Sequence, residues 1–142
     1  MLGKHLIKSW SVTQAIIALS SGEAEFYALV KCGSIALGIR NMLHDLGIKV
    51  KIQISTDASA AKGITARRGA GKIRHIEVSQ LWIQDKVRSG EISMKKVGTT
   101  ENLADALTKH VTAEELTYHL AHAGQVIMPG RHELAPESTN LN

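Results

Sequence analysis

Three carboxylates stand at positions where an α/β protein usually carries its chemistry. Glu25 falls in the first turn of a predicted helix, Asp57 directly follows a predicted strand, and Asp105 lies in a helix predicted after a second strand. Ligands of open α/β sheets gather at strand carboxyl ends and at neighbouring helix starts, so these groups are candidates to converge. Carboxylates with few other ligand types suit hard cations such as Mg²⁺. Two such ions, about 3.5–4 Å apart, can activate water for phosphodiester cleavage.

Each of these acids also has a structural interpretation. A carboxylate in the first turn of a helix is stabilised by the positive end of the helix dipole. An Asp after a strand is a common N-cap of the helix that follows it. Spacing alone therefore leaves open both a shared metal site and three separate structural roles.

A basic, glycine-rich segment offers a second kind of chemistry. Four cations and a histidine lie within nine residues, namely Arg67, Arg68, Lys72, Arg74 and His75. Lys and Arg gain affinity for polyanions by displacing the counterions condensed on phosphates, without reading base sequence. The segment therefore predicts contact with a nucleic-acid backbone, and a solvated loop without a ligand is the alternative. The net charge of +4 agrees with a polyanionic partner.

The elements that must position these residues follow from hydrophobic periodicity and helix-start signals. Residues 5–19 are rich in β-branched side chains and are predicted to form one or two strands. Ser20 and Glu23 stand at capping-box spacing and predict the start of a long helix over residues 21–46. Strands are further predicted over 50–56 and 91–97, and helices over 58–66, 75–88, 100–109 and 112–124.

Composition narrows the class of protein. The 142 residues, 44% of them hydrophobic and 21% charged, fit a globular α/β fold. Cys32 is the single cysteine, which excludes an internal disulfide and a cysteine zinc site. The apolar runs are too short to span a bilayer, and the first residues do not resemble a signal peptide. We therefore expect an intracellular protein, cytoplasmic or nuclear, with no membrane partner.

Five ordered segments of the chain resemble one known family. Residues 18–29, ALSSGEAEFYAL, closely resemble the "ALSS-x-EAE-aromatic-x-AL" signature of copia-type ribonuclease H domains from retrotransposon Pol polyproteins. Five motifs in the right order are hard to obtain by chance, and the match covers roughly residues 5–124. The other four segments are ISTDASAA at 54–61, KIRHIEV at 72–78, GEI at 90–92 and NLADALTK at 102–109.

This resemblance implies a fold, an activity and a ligand set. The fold is a ribonuclease H-like mixed sheet flanked by helices. The activity is hydrolysis of RNA in RNA–DNA hybrids, with two divalent ions, Mg²⁺ or Mn²⁺, held by Asp, Glu, Asp and Asp. The resemblance assigns the Glu to Glu25 rather than Glu23, the second Asp to Asp57 and the last to Asp105. It also favours hybrid contact by the basic segment and names the reverse transcriptase domain of the same polyprotein as a further partner.

The first Asp of the family has no counterpart in this sequence. By the family pattern it lies in an opening strand, well upstream of the ALSS motif. Only 19 residues precede Ser20, and none of them is Asp or Glu. The resemblance therefore implies a sheet without its first one or two strands, a metal site without one carboxylate, and weak or absent cleavage. A non-catalytic nucleic-acid-binding remnant and a non-functional retroelement fragment are the alternatives.

The expected organisation is one domain with two appendages. Residues 4–110 are predicted to form the ribonuclease H-like domain, truncated at its start. Residues 111–124 are predicted to form a C-terminal helix, and residues 125–142, which include Pro129, Gly130 and Pro136, a flexible tail.

Overall fold

Helices and strands are interspersed along the chain, which confirms the predicted mixed α/β class. The computed structural model describes residues 1–69, 71, 76–126, 128 and 130. Within those residues the elements are α1 (Ser21–Asp45), β1 (Ile52–Thr56), α2 (Ser59–Ala66), α3 (Trp82–Arg88), β2 (Ile92–Lys96) and α4 (Ala113–His122), with 3₁₀ turns at Val78–Gln80, Thr99–Glu101 and Leu103–Leu107. This small sheet with flanking helices is consistent with a ribonuclease H-like fold.

Helix α1 begins and ends at the residues that the sequence signals indicate. Ser20 is extended and its hydroxyl accepts a hydrogen bond from the Glu23 backbone N–H at 3.2 Å, as an N-cap residue should. Gly47 follows the helix with a φ of +79°, a left-handed conformation that favours glycine. Phe26 and Val30 belong to the buried face of the helix.

Strands β1 and β2 form a parallel pair, in register from Ile52 opposite Ile92 to Thr56 opposite Lys96. The parallel direction requires a long connection, which α2 and α3 supply. Residues of β1 alternate strictly between buried and exposed, so only one face of the strand contributes to the core. Both predicted strands, 50–56 and 91–97, are confirmed.

The core around this sheet is mainly aliphatic, because the chain has few aromatic residues. Helix α1 packs closely on α3 at Gly33, where an added Cβ would lie 3.1 Å from Ile83 Cδ1 and 3.3 Å from Trp82 Cη2. The buried cluster consists of Phe26, Tyr27, Leu29, Val30, Ile52, Ile54, Ala61, Ile64, Ile76, Ile83 and Ile92.

The chain divides into two compact units. One comprises Ser11–Asn102 and contains the sheet with α1, α2 and α3. The other comprises Met1–Trp10 with Leu103–Asn142 and contains α4. In this second unit Gly124 has a φ of +70° and packs against the Lys4 carbonyl so closely that no side chain would fit. The domain boundaries at 110 and 124 stay a prediction, and residues 127, 129 and 131–142 of the predicted tail lie outside the described residues.

The prediction of strands over residues 5–19 is wrong. At the start of this segment His5 forms an isolated bridge with Leu2, and the backbone then continues without regular structure. A strand is stable only when its N–H and C=O groups pair with a neighbouring strand. The end of the segment nearest α1 is instead bonded to that helix, since Gln14 Nε2 donates to the Ala24 carbonyl at 2.7 Å and the Leu19 N–H donates to Glu23 Oε2 at 3.0 Å. The β-branched residues follow the strand pattern, but no adjacent strand pairs with them.

Two predicted helices differ from the structure. The predicted helix over 100–109 is replaced by the 3₁₀ turns Thr99–Glu101 and Leu103–Leu107, which extended Asn102 separates. The predicted helix over 75–88 becomes the 3₁₀ turn Val78–Gln80 followed by α3, and residues 72–75 lie outside the described ranges. No helix in the described parts of the chain is both long and apolar enough to cross a membrane.

Candidate functional site

Asp57 lies directly after the carboxyl end of β1 and is half-buried. A hydrogen bond fixes this end of the strand, because the Thr56 carbonyl accepts from the Val97 N–H at 3.0 Å. The N-cap of α2 is Ala58, so Asp57 does not serve as the helix cap. Within the described residues its carboxylate makes no hydrogen bond or ion pair, which leaves the carboxylate available to a ligand.

Glu25 lies just beyond the first turn of α1 and is exposed. The acid of the first turn is Glu23, so the expectation that Glu25 occupies that turn is wrong, and Glu25 lies just past it. As with Asp57, no described residue bonds to its carboxylate. Both candidate acids of the sheet-containing unit therefore present oxygen donors that no residue of the described ranges uses.

Glu23 has the opposite environment, with 2% of its surface exposed. Its Oε2 accepts from the Leu19 N–H and its Oε1 accepts from the Tyr27 hydroxyl, each at 3.0 Å. Burial first, and then the neighbouring Glu23 carboxylate, raise the pKa of Tyr27. Glu23 thus fixes the segment before α1 to the helix, a structural role that its capping-box spacing indicates.

Asp105 belongs to the other compact unit, in the turn Leu103–Leu107, and is 9% exposed. Its Oδ2 lies 2.8 Å from Lys109 Nζ, so an ammonium group already neutralises this carboxylate. A cation bound at Asp105 would have to displace that ammonium group.

The donor chemistry of these three acids fits a hard divalent ion only in part. Glu25 and Asp57 fit, because both are carboxylates without a described partner. Asp105 fits less well because of Lys109. Within the described residues of each unit, no three His, Cys, Asp or Glu side chains are grouped as a metal site would require. The structure therefore describes two carboxylates without a described partner and one carboxylate paired with Lys109.

The described part of the basic segment begins where α2 ends. Arg67 is the C-cap residue of α2, Arg68 is exposed, and Gly69 and Gly71 have φ angles of +73° and +62°. A Cβ at Gly71 would lie 3.0 Å from Arg67 Cζ, so the guanidinium group packs over this glycine. Lys72, Arg74 and His75 lie outside the described residues, and their contact with nucleic acid stays a prediction.

Sequence reasoning missed Gln84, which contacts this segment. Gln84 is 3% exposed, and its side chain bonds to the backbone of Gly69 and of Ile64. A single Gln in an amphipathic helix carries no signal of such a role, because its partners lie 15 and 20 residues away.

The amino-acid sequence is similar to parts of three transposon polyproteins. The chain is 32% identical over 106 residues to the retrovirus-related Pol polyprotein from transposon TNT 1-94 of Nicotiana tabacum. This aligned region covers 72% of this chain and 8% of that polyprotein. The chain is also 32% identical over 111 residues to the corresponding polyproteins from transposons RE1 and RE2 of Arabidopsis thaliana, 76% of this chain and 8% of each relative. The chain is related to one segment of transposon Pol polyproteins.

The relationship is confined to a small part of those polyproteins, since the chain spans 8% of the length of each. No protein-family model and no solved structure matches the chain. The retroelement origin that the five motifs imply is supported, while the activity within the polyprotein is a separate question.

Proposed function

We propose that this chain is a ribonuclease H-type segment of a transposon Pol polyprotein, acting on the RNA strand of RNA–DNA hybrids with Mg²⁺ or Mn²⁺. The observation that carries the proposal is Asp57, a half-buried carboxylate at the end of a parallel strand that no described residue engages. The relationship to Pol polyproteins over 106 residues supports it. The RNA–DNA hybrid and the neighbouring reverse transcriptase domain are the proposed partners.

The proposal gives each group a role. Glu25, Asp57 and Asp105 would supply the carboxylate oxygens that hold divalent ions. When bound, such ions supply water activation and charge stabilisation at the leaving oxygen. Arg67 and Arg68 would hold backbone phosphates of the hybrid, independently of base sequence.

We expect cleavage by this chain alone to be weak. The family site uses four carboxylates, and only three have counterparts here. Lys109 further reduces the ability of Asp105 to accept a cation, because the ammonium group already pairs with it.

Cleavage of a hybrid carrying end-labelled RNA tests the proposal. We expect slow cleavage that requires Mg²⁺ or Mn²⁺, disappears in Asp57→Asn and persists in the control Asp45→Asn. Asp45 is an exposed acid at the end of α1 and belongs to no proposed site. Cleavage that survives Asp57→Asn would contradict the proposed ligand set.

A non-catalytic nucleic-acid-binding role is the second candidate. It is favoured by the absence of a three-ligand cluster among the described residues of either unit, together with the basic segment. Salt-dependent hybrid binding without metal-dependent cleavage would support this candidate. Absence of both cleavage and binding would contradict both candidates.

A further inference from the structure

The side-chain amide of Gln84 uses all of its hydrogens on one short stretch of backbone. Its Nε2 donates to the Ile64 carbonyl at 2.9 Å and to the Gly69 carbonyl at 3.0 Å. Its Oε1 accepts from the Gly69 N–H at 2.8 Å. A neutral amide has two N–H donors, so this group is saturated as a donor. The network is buried, because Gln84 is 3% exposed.

These bonds fix the backbone on both sides of Arg67 and Arg68. Ile64 lies in the last turn of α2, where carbonyl groups lack a partner within the helix, and Gln84 supplies one. Gly69 has both its N–H and its carbonyl paired to the same side chain, as a residue in a sheet would have with a neighbouring strand. The side chains of Arg67 and Arg68 therefore project from a backbone that hydrogen bonds anchor on both sides of them.

Local geometry adds a second constraint. Gly69 has a φ of +73°, which a residue with a side chain rarely adopts, and an added Cβ there would meet nothing within 4 Å. Gly71, at a φ of +62°, lets the Arg67 guanidinium pack against the backbone. Arg68 remains exposed. The segment thus presents two cations from a fixed backbone, with Arg67 packed against Gly71 and Arg68 exposed to solvent.

We infer that Gln84 is a positioning residue for polyanion recognition, holding the Arg67–Gly69 backbone in the conformation in which both arginines meet phosphates of an RNA–DNA hybrid. The inference rests on the proposed function. Its physical basis is preorganisation, since a backbone fixed before binding loses less conformational freedom when the phosphates arrive. Gln84 itself contributes no charge to the bound polyanion.

Hybrid affinity measured across a salt series separates positioning from charge. In Gln84→Met, which keeps the length of the side chain but not its hydrogen bonds, we expect affinity to fall roughly tenfold, equivalent to about 1.4 kcal/mol. The slope of log affinity against log salt should stay unchanged, because every cation is retained. In Arg68→Gln the slope should become shallower by about 0.9. Gln53→Met, an exposed Gln-to-Met change on β1, should have no effect.

Hydrogen exchange at the Gly69 amide reports whether the Gln84 contact is lost, independently of nucleic acid. Accelerated exchange in Gln84→Met together with wild-type hybrid affinity would overturn the inference. Gly69→Ala perturbs the same contact from the loop side without disturbing the core, and it serves if Gln84→Met does not fold. Wild-type affinity in a folded Gly69→Ala would likewise overturn the inference. Failure of the wild-type chain to bind the hybrid would overturn the proposed function as well.

Discussion

The two glutamates of the Glu-Ala-Glu triplet lie two positions apart in α1, so their side chains point to different faces of the helix and meet different environments. Glu23 points into the protein and satisfies a backbone N–H and the Tyr27 hydroxyl, whereas Glu25 is exposed without a described partner. A buried hydrogen-bonded carboxylate is costly to remove, and an exposed one is not. Stability and function are therefore expected to depend on different members of the triplet.

Alanine substitutions test this division. Glu23→Ala should lower the free energy of unfolding by about 1–3 kcal/mol, because the Leu19 N–H and the Tyr27 hydroxyl lose their acceptor. Glu25→Ala should change it by less than about 0.5 kcal/mol. Denaturant unfolding measures both. Glu23→Gln should be milder than Glu23→Ala, because an amide can accept from Leu19 while donating to the Tyr27 hydroxyl. Equal losses at positions 23 and 25 would contradict the assignment.

Tyr27 should make stability depend on alkaline pH. Burial, followed by the Glu23 carboxylate, raises the pKa of its hydroxyl above the usual value near 10. The folded state therefore holds this proton more tightly than the unfolded state. The contribution is present in full below the unfolded pKa and is lost as pH rises through the folded pKa. Tyr27→Phe should flatten the alkaline limb of the unfolding free energy, and an unchanged limb would contradict the attribution.

The acids at Asp57 and Asp105 illustrate what sequence can predict of a site. A carboxylate that follows a strand is placed at the sheet end by the strand alone, so local pattern suffices for Asp57. The pairing of Asp105 with Lys109 depends on the geometry of a 3₁₀ turn that the pattern suggested to be a helix. The role of Gln84 depends on tertiary contacts and has no local signal.

Among the elements, helix α1 contains one glycine that is tightly packed and another that has open space around it. Gly38 is exposed, with nothing within 4 Å of an added Cβ, whereas Gly33 is buried against the fully buried Ile83. Gly38→Ala should raise the free energy of unfolding by about 1 kcal/mol through helix propensity. Gly33→Ala gains the same propensity but crowds the core, so it should be at least about 1 kcal/mol less stable than Gly38→Ala. Thermal or denaturant unfolding decides, and equal stabilisation by both would contradict the close packing of α1 on α3.

Glu91 joins three elements at the start of β2. Its carboxylate lies 2.7 Å from Lys86 Nζ of α3 and 3.1 Å from Arg40 Nη1 of α1. The bond from Lys86, followed by that from Arg40, lowers the pKa of Glu91 below its usual value.

This lowered pKa makes acid destabilise the junction of the three elements. The stabilisation is present above the pKa of an unfolded glutamate, about 4.3, and is lost as pH falls through the lower folded value. In Glu91→Gln the unfolding free energy should vary less with acidic pH than in wild type, while the exposed control Glu101→Gln should behave as wild type. An unaltered acid limb in Glu91→Gln would show that the ion pairs do not form in solution.

Local signals predicted α1 and both strands of the sheet, but they did not predict that residues 5–19 would lack a strand to pair with. Ser20, Gly47 and apolar periodicity define α1 without reference to the rest of the fold. Residues 5–19 carry β-branched residues, but a strand also requires a neighbour to pair with, which composition does not provide. The strand prediction over residues 5–19 therefore failed because the segment has no strand to pair with, although its residue types favour strands.

At the scale of the whole molecule, the proposed carboxylates are divided between the two compact units. If Asp57 takes part in binding a divalent ion in the folded state alone, that ion stabilises the protein by mass action. Mn²⁺ or Mg²⁺ at about 100 times its dissociation constant should add about 2.7 kcal/mol to the free energy of unfolding. Asp57→Asn should abolish the metal-dependent increase, and Asp45→Asn should retain it. A metal effect of equal size in both variants would indicate binding elsewhere.

The parallel pairing of β1 with β2 also bears on how the chain is made. The Ser93 hydroxyl bonds to the Ile52 carbonyl, an interaction that spans 41 positions along the chain. At synthesis rates of about 5–20 residues per second, β1 leaves the ribosome some two to eight seconds before the residues that pair with it. Ile52 and Ile54 are buried in the finished sheet, so during this interval both side chains lack the partner strand that helps to bury them.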